Sequence, residues 1–229
     1  MYTRDESYYF TLITIRIEDC VFRVPRHGFE EKSEVFRNMF SMPTGSEFEE
    51  ESVQEGGSDE NSIRIDGVDK QSFKNLLTLL YPRPCDFRSR KKYLVTMRVD
   101  ELLAILRLAI MWEFTEIRDL VIASLERMSL PEVQKIEIAH KFGIQKWYMP
   151  AYKALVKRPG ALSVAEATQL GFEFAIKLAG VRERWIIDIC LGPDPGDAAL
   201  EADIEATFGV KPRSSQHMDS DCDALDFTL

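Results

Sequence analysis

The stretch that decides the fold reads Val21-Phe22-Arg23-Val24-Pro25-Arg26-His27 and, five residues on, Ser33-Glu34-Val35-Phe36-Arg37-Asn38-Met39-Phe40. Its first half alternates side chains as a strand does, and Pro25 ends the run and suits the first turn of a short helix. In its second half Ser33 can cap a helix whose apolar positions Phe36, Met39 and Phe40 recur at three and four residues. Upstream, Leu12-Ile13-Thr14-Ile15-Arg16-Ile17 places three isoleucines on one face, and Glu18-Asp19 supplies a two-residue turn into Cys20. The two strands therefore read as a hairpin, with a turn weaker than Asn-Gly.

Downstream the pattern is mostly helical. Met42-Pro43-Thr44-Gly45 breaks the Ser33 helix, and residues 41–60, with seven acids and no base, read as an exposed loop. Ile63 and Ile65 suggest a third strand. Asp69 is positioned to cap a helix bearing Phe73, Leu76, Leu77 and Leu80, which Tyr81-Pro82 ends. Residues 82–98 read as a second loop, carrying six bases against Asp86. The helix over 100–112 is apolar enough (Leu102, Leu103, Ile105, Leu106, Ala109, Ile110) to lie at the centre of the core. Thr115 is the expected cap of the next helix, where Ile117, Leu120, Val121, Ser124, Leu125 and Met128 form one face. Leu130-Pro131 opens a further helical set: one helix ending at Gly143, one over 146–157 with Pro150 near its first turn, one capped by Ser163, and one from Gly171 to about 184. From Gly192 the chain reads as a linker and an acidic, disordered tail.

These elements in this order, with these residues, resemble the BTB/POZ domain. The stretch from Phe22 to His27 is similar to the family's phe-x-val-x-x-his segment, and Ser33 to Phe40 to its ser-x-x-phe-x-x-met-phe segment. Ser58-Asp59-Glu60-Asn61, the Leu76-to-Tyr81 helix end and Leu106-to-Phe114 support the likeness. With Ala151-to-Arg158, they resemble the large fungal, basidiomycete-type set of BTB-domain proteins. The implied fold is α+β: a small three-stranded sheet covered by helices over 8–128, then a short helical, BACK-like extension over 130–185. Residues 186–229 would be linker and tail.

The resemblance implies a protein-interaction adaptor, either the substrate-recruiting subunit of a cullin-type ubiquitin ligase or a self-associating transcriptional co-regulator or scaffold without a ligase role. Phe22, Val24, His27, Ser33, Phe36, Met39 and Phe40 are then structural motif residues, with the His27 ring bonded to backbone. Leu12, Ile13, Arg26, Arg37, Arg88, Arg90, Lys91 and Lys92 are the candidate interface. The aspartate that the family usually carries near the first strand is replaced here by Phe10-Thr11-Leu12-Ile13. Its absence counts against the usual strand-exchanged homodimer.

Other chemistry finds little footing. A net charge of −9 disfavours nucleic-acid binding. Cys20, Cys85, Cys190 and Cys222 form no C-x-x-C pair, which fits reduced, mostly buried thiols. Cys20 and His27 lack an orienting acid and an oxyanion loop. His140 falls on the apolar side of its helix, as a core or half-buried residue does. His217 has no partner ligands, although Asp219, Asp221 and Asp223 could bind a cation weakly. No phosphate-binding glycine loop, H-E-x-x-H or G-x-S-x-G occurs, so no catalytic residue, cofactor or metal is expected. The basic run Arg88-to-Lys92 is a solvated loop, a nuclear-import signal, a dock for an acidic partner or a counter-charge to the acidic loop. The tail, with Leu225, Phe227 and Leu229 among its acids, has the pattern of an activation segment. No signal peptide or membrane-length apolar run is present, and a cytoplasmic or nuclear location is expected.

Overall fold

A computed structural model describes residues 3, 5, 9–42, 56–82, 90–192 and 195–210, with the side chains of Lys91 and Lys92 excepted. The acidic stretch 43–55, Arg88, Cys85 and the tail with His217, its aspartates and Cys222 lie outside the described residues. The chain divides into two compact units, Met1–Ser129 and Leu130–Leu229.

In the first unit β1 (Leu12–Ile17) pairs antiparallel with β2 (Cys20–Pro25), with Ile17 opposite Cys20 and Ile13 opposite Val24. The short β3 (Ile63–Arg64) joins the other side of β1 in parallel, giving a mixed sheet of order β2-β1-β3. Ile13, Ile15 and Ile17 are buried while Leu12 and Arg16 are exposed, the period of two that a half-covered strand requires. Pro25 closes β2 and does not open α1 (His27–Lys32), which starts after Arg26.

Helix α2 (Glu34–Ser41) begins at Ser33, whose hydroxyl accepts from the Phe36 N–H at 3.1 Å. Helix α3 (Lys70–Leu80) begins at Asp69, whose carboxylate accepts from the Ser72 N–H at 2.8 Å. Its buried face holds Phe73, Leu76, Leu79 and Leu80; Leu79 takes the place expected for Leu77, which is half-buried. The basic stretch is not all loop. Arg90–Val95 forms α4, which packs on α6 and is followed closely by buried Met97, with Leu94 as its own anchor. Helices α5 (Val99–Met111) and α6 (Thr115–Glu126) form the apolar hairpin expected, with two differences. Ile110 is exposed, and Thr115 is the first helical residue rather than the cap, which is Phe114.

The described residues of the second unit form helices and no strand: α7 (Glu132–Phe142), α8 (Gln145–Lys157), α9 (Val164–Leu170), α10 (Phe172–Leu191) and α11 (Gly196–Phe208). Gly143 ends α7 at φ 66, a left-handed turn that glycine adopts without steric cost. Pro150 lies in the second turn of α8 rather than the first. Ser163 caps α9 and Glu166 returns a bond to the Ser163 N–H at 2.7 Å. Hydrogen bonds from the Arg158 guanidinium, then from Ser163, hold the Glu166 carboxyl at about 2. The expected linker from 186 is largely helix. Helix α10 runs on to Leu191, and α11 anchors itself with Leu200 and Ile204 in a core that includes Tyr152, Leu155, Val181 and Trp185.

His140 is exposed at its edge, and its Nε2 pairs with the Tyr152 hydroxyl at 2.8 Å. Burial of the ring lowers its pKa below the ordinary 6.5. The folded chain then stays neutral where the unfolded chain protonates, so stability is full above pH 6.5 and falls as pH drops through that value toward the lower folded one. Thermal melts of the chain across pH 5–7.5 should show this slope, and His140→Gln should flatten it.

Candidate protein-interaction surface

The site is built on the junction of β2, α1 and α2. Chain reversal there depends on small and polar residues. The Tyr81 hydroxyl donates to the Pro25 carbonyl, and burial raises its pKa. The ring crosses α1 at Gly28, where a Cβ would stand 2.7 Å from Tyr81 Cε1. Gly28→Ala must push the ring off the Pro25 carbonyl, costing about 1–3 kcal/mol. Chemical denaturation of Gly28→Ala, Tyr81→Phe and the double variant checks this, with a smaller alanine penalty expected in the Tyr81→Phe background.

Arg26 is held in place by three groups. It pairs with Glu30 at 2.6 Å, its guanidinium lies 4.5 Å from the Phe40 ring centroid, and its backbone N–H bonds Thr11. Arg37 donates from Nε and Nη2 to the carbonyls of Glu30 and Glu31, at 2.9 and 3.0 Å, and so closes the end of α1. Among the described residues, no hydrogen bond joins the His27 ring to backbone, which differs from the expectation. The ring is exposed and stacks on Phe10 at 4.9 Å.

Beneath this junction lies an aromatic nest. Phe29 meets Phe36 at 4.8 Å and Phe114 at 5.9 Å, and Phe36 meets Trp112 at 5.4 Å. Phe22 joins it through Phe73 at 5.1 Å, while Val24 stays half-buried on the sheet. Ser33 Oγ, fully buried, also donates to the Trp112 carbonyl at 2.5 Å, which ties α2 to the end of α5.

Above the nest the surface is apolar and charged by turns. The structure brings Leu12, Arg26, Met39 and Phe40 together around a depression of about 80 Å³. That is room for a side chain of a partner rather than for a cofactor. Ile13 lines its floor but is itself buried, because it points to the helix side of the sheet, so it drops out of the exposed interface. Met39 is 37% exposed and forms a ridge with Val35 and Met42, rather than the core contact its motif position suggests.

A second, open groove of about 500 Å³ separates α1 and α2 from the α5–α6 corner, lined by Glu31, Glu34, Arg37, Ile110, Glu113 and Glu116 among others. Sequence reasoning missed it, because Ile110 fits the apolar pattern of α5. At the corner Glu113 takes a left-handed φ of 55, which no local sequence pattern announces. Arg90 lies apart from the depression and faces Glu116 at 3.9 Å. Lys32 bonds the same carboxylate at 2.8 Å and, as the leading cause, lowers its pKa. Lys91 and Lys92 lie within α4.

A family model for the BTB/POZ domain matches residues 4–129. The chain belongs to the BTB/POZ family. The matched span coincides with the first compact unit, and the BTB domain is a protein-interaction module. No curated protein matches the chain. Among the described residues of this BTB protein no cluster of His, Cys, Asp and Glu is arranged to hold a metal ion, and no helix is long and apolar enough to cross a membrane. Its thiols depart from expectation: Cys190 is exposed and Cys20 only half-buried.

Proposed function

We propose that this BTB chain is an adaptor that joins a cullin-type ubiquitin-ligase scaffold to a substrate, in the cytoplasm or nucleus, and that it belongs with the fungal BTB proteins it resembles. The observation that carries the reading is the Val35-Met39-Met42 ridge. An amphipathic helix buries one face, here Phe36, and normally turns polar groups to water. Helix α2 instead exposes Val35 and Met39, with Met42 just past its end, and Met39 and Met42 border the depression that Leu12 and Arg26 also line. An apolar anchor ringed by polar residues is the common layout of a docking surface.

The test is co-purification of a cullin with the tagged full chain. Wild type should retain it, and Met39→Arg should lose it with an unchanged melting temperature. Equal recovery from both would refute the ridge as the dock. Self-association through the BTB unit, the second reading, is weakened by the absence of the first-strand aspartate.

A further inference from the structure

Helix α10 has two apolar faces. One enters the core through Phe174, Leu178, Val181 and Trp185. The opposite face carries Phe172, Ile176, Ala179, Glu183, Ile186 and Cys190, all exposed. These six recur at intervals of four, three, four, three and four residues. That is the 3.5-residue period of a coiled-coil seam, kept over the whole helix. Phe172 is 78% exposed, Ile176 56% and Ile186 46%, an apolar ridge that a solvated helix does not normally present.

The seam is complementary to itself in one direction only. With two copies antiparallel about the level of Val181, Phe172 meets Cys190, Ile176 meets Ile186, and Ala179 meets Glu183. The large ring faces the small thiol, like branched chains face each other, and the Glu183 stem spans a methyl group while its carboxylate reaches the edge. Gly180 beside the centre lets the backbones approach. Ile187 and Ile189 flank the C-terminal half of the seam and are exposed; they would cover the Phe172–Ile176 end of the second copy, flanked by Glu173 and Ala175. Parallel pairing would instead stack Glu183 on Glu183 inside the seam. A two-fold interface requires this kind of self-complementarity.

We propose that α10 is an interface between two copies of this chain, paired antiparallel through the Phe172–Cys190 seam. It is independent of whatever the BTB unit docks. A seam roughly 30 Å long is a small interface beside the standard of about 800 Å² per partner, so the dimer is weak and concentration-dependent.

Sedimentation velocity of the full chain tests it. Wild type and Leu12→Asp should show the same monomer–dimer equilibrium. Ile176→Asp should raise the dissociation constant about a hundredfold, on the order of tenfold for each of the two symmetric layers. Phe172→Cys should give an oxidised dimer that Cys190→Ser abolishes, an assay that needs no charge placed on the seam. A wild type monomeric at all accessible concentrations, a dimer that survives Ile176→Asp, or Cys190–Cys190 cross-linking in the wild type would each overturn the proposal.

Discussion

Phe29→Ala should destabilise the BTB unit by about 3–5 kcal/mol, the usual cost of deleting a fully buried ring. Phe29 has no exposed surface and touches Phe36, Phe73, Tyr81 and Phe114, rings contributed by α2, α3, the end of α3 and the α5–α6 corner. The cavity cannot collapse, because those four rings hang from three elements, α2, α3 and the α5–α6 corner, that would have to move toward one another. A domain has about 5–15 kcal/mol in all, so the variant should sit near the unfolding threshold. Urea denaturation followed by tryptophan fluorescence reads this through Trp112, which meets both Phe36 and Phe73. Loss of less than about 1 kcal/mol would mean that the nest is not packed as described.

Ser33→Ala should cost about 2–4 kcal/mol, more than an ordinary helix cap. The cap alone accounts for about 1 kcal/mol. The remainder comes from the second role of the hydroxyl, since its removal leaves the buried Trp112 carbonyl without a donor, a loss of about 1–3 kcal/mol. Ser33→Thr keeps both bonds if its methyl group fits, and so separates hydrogen bonding from packing. Parallel denaturation of the two variants would contradict the dual role if Ser33→Ala lost no more than a surface cap does.

The parts of the fold written in local pattern were legible in the sequence. The isoleucines of β1, the Ser33, Asp69 and Ser163 caps and the Gly143 turn each follow from one residue's geometry. Periodicity also placed α5 and α6 to within a residue or so. It failed where apolar content was thin. Helix α4 begins with Arg-Lys-Lys and is fixed by little beyond Leu94 and Met97, so its charge hid its structure. Helix α11 follows Gly-Pro-Asp-Pro and buries only Leu200 and Ile204, while its alanines and glutamates have high helix propensity but the look of a linker.

The candidate site was legible as a neighbourhood more than as a surface. Leu12, Arg26, Met39 and Phe40 do meet, but period-two alternation already put Ile13 with the buried isoleucines of β1. Whether Met39 and Ile110 face core or water depends on the three-dimensional placement of α2 against α5, which no local period encodes.

The most direct test of the docking account is calorimetric titration of the full chain with the N-terminal region of a cullin scaffold. The account predicts saturable binding that Met39→Arg weakens at least about tenfold, or 1.4 kcal/mol, and that Ile176→Asp leaves alone. Binding of equal strength by wild type and Met39→Arg, or none by either, would contradict it.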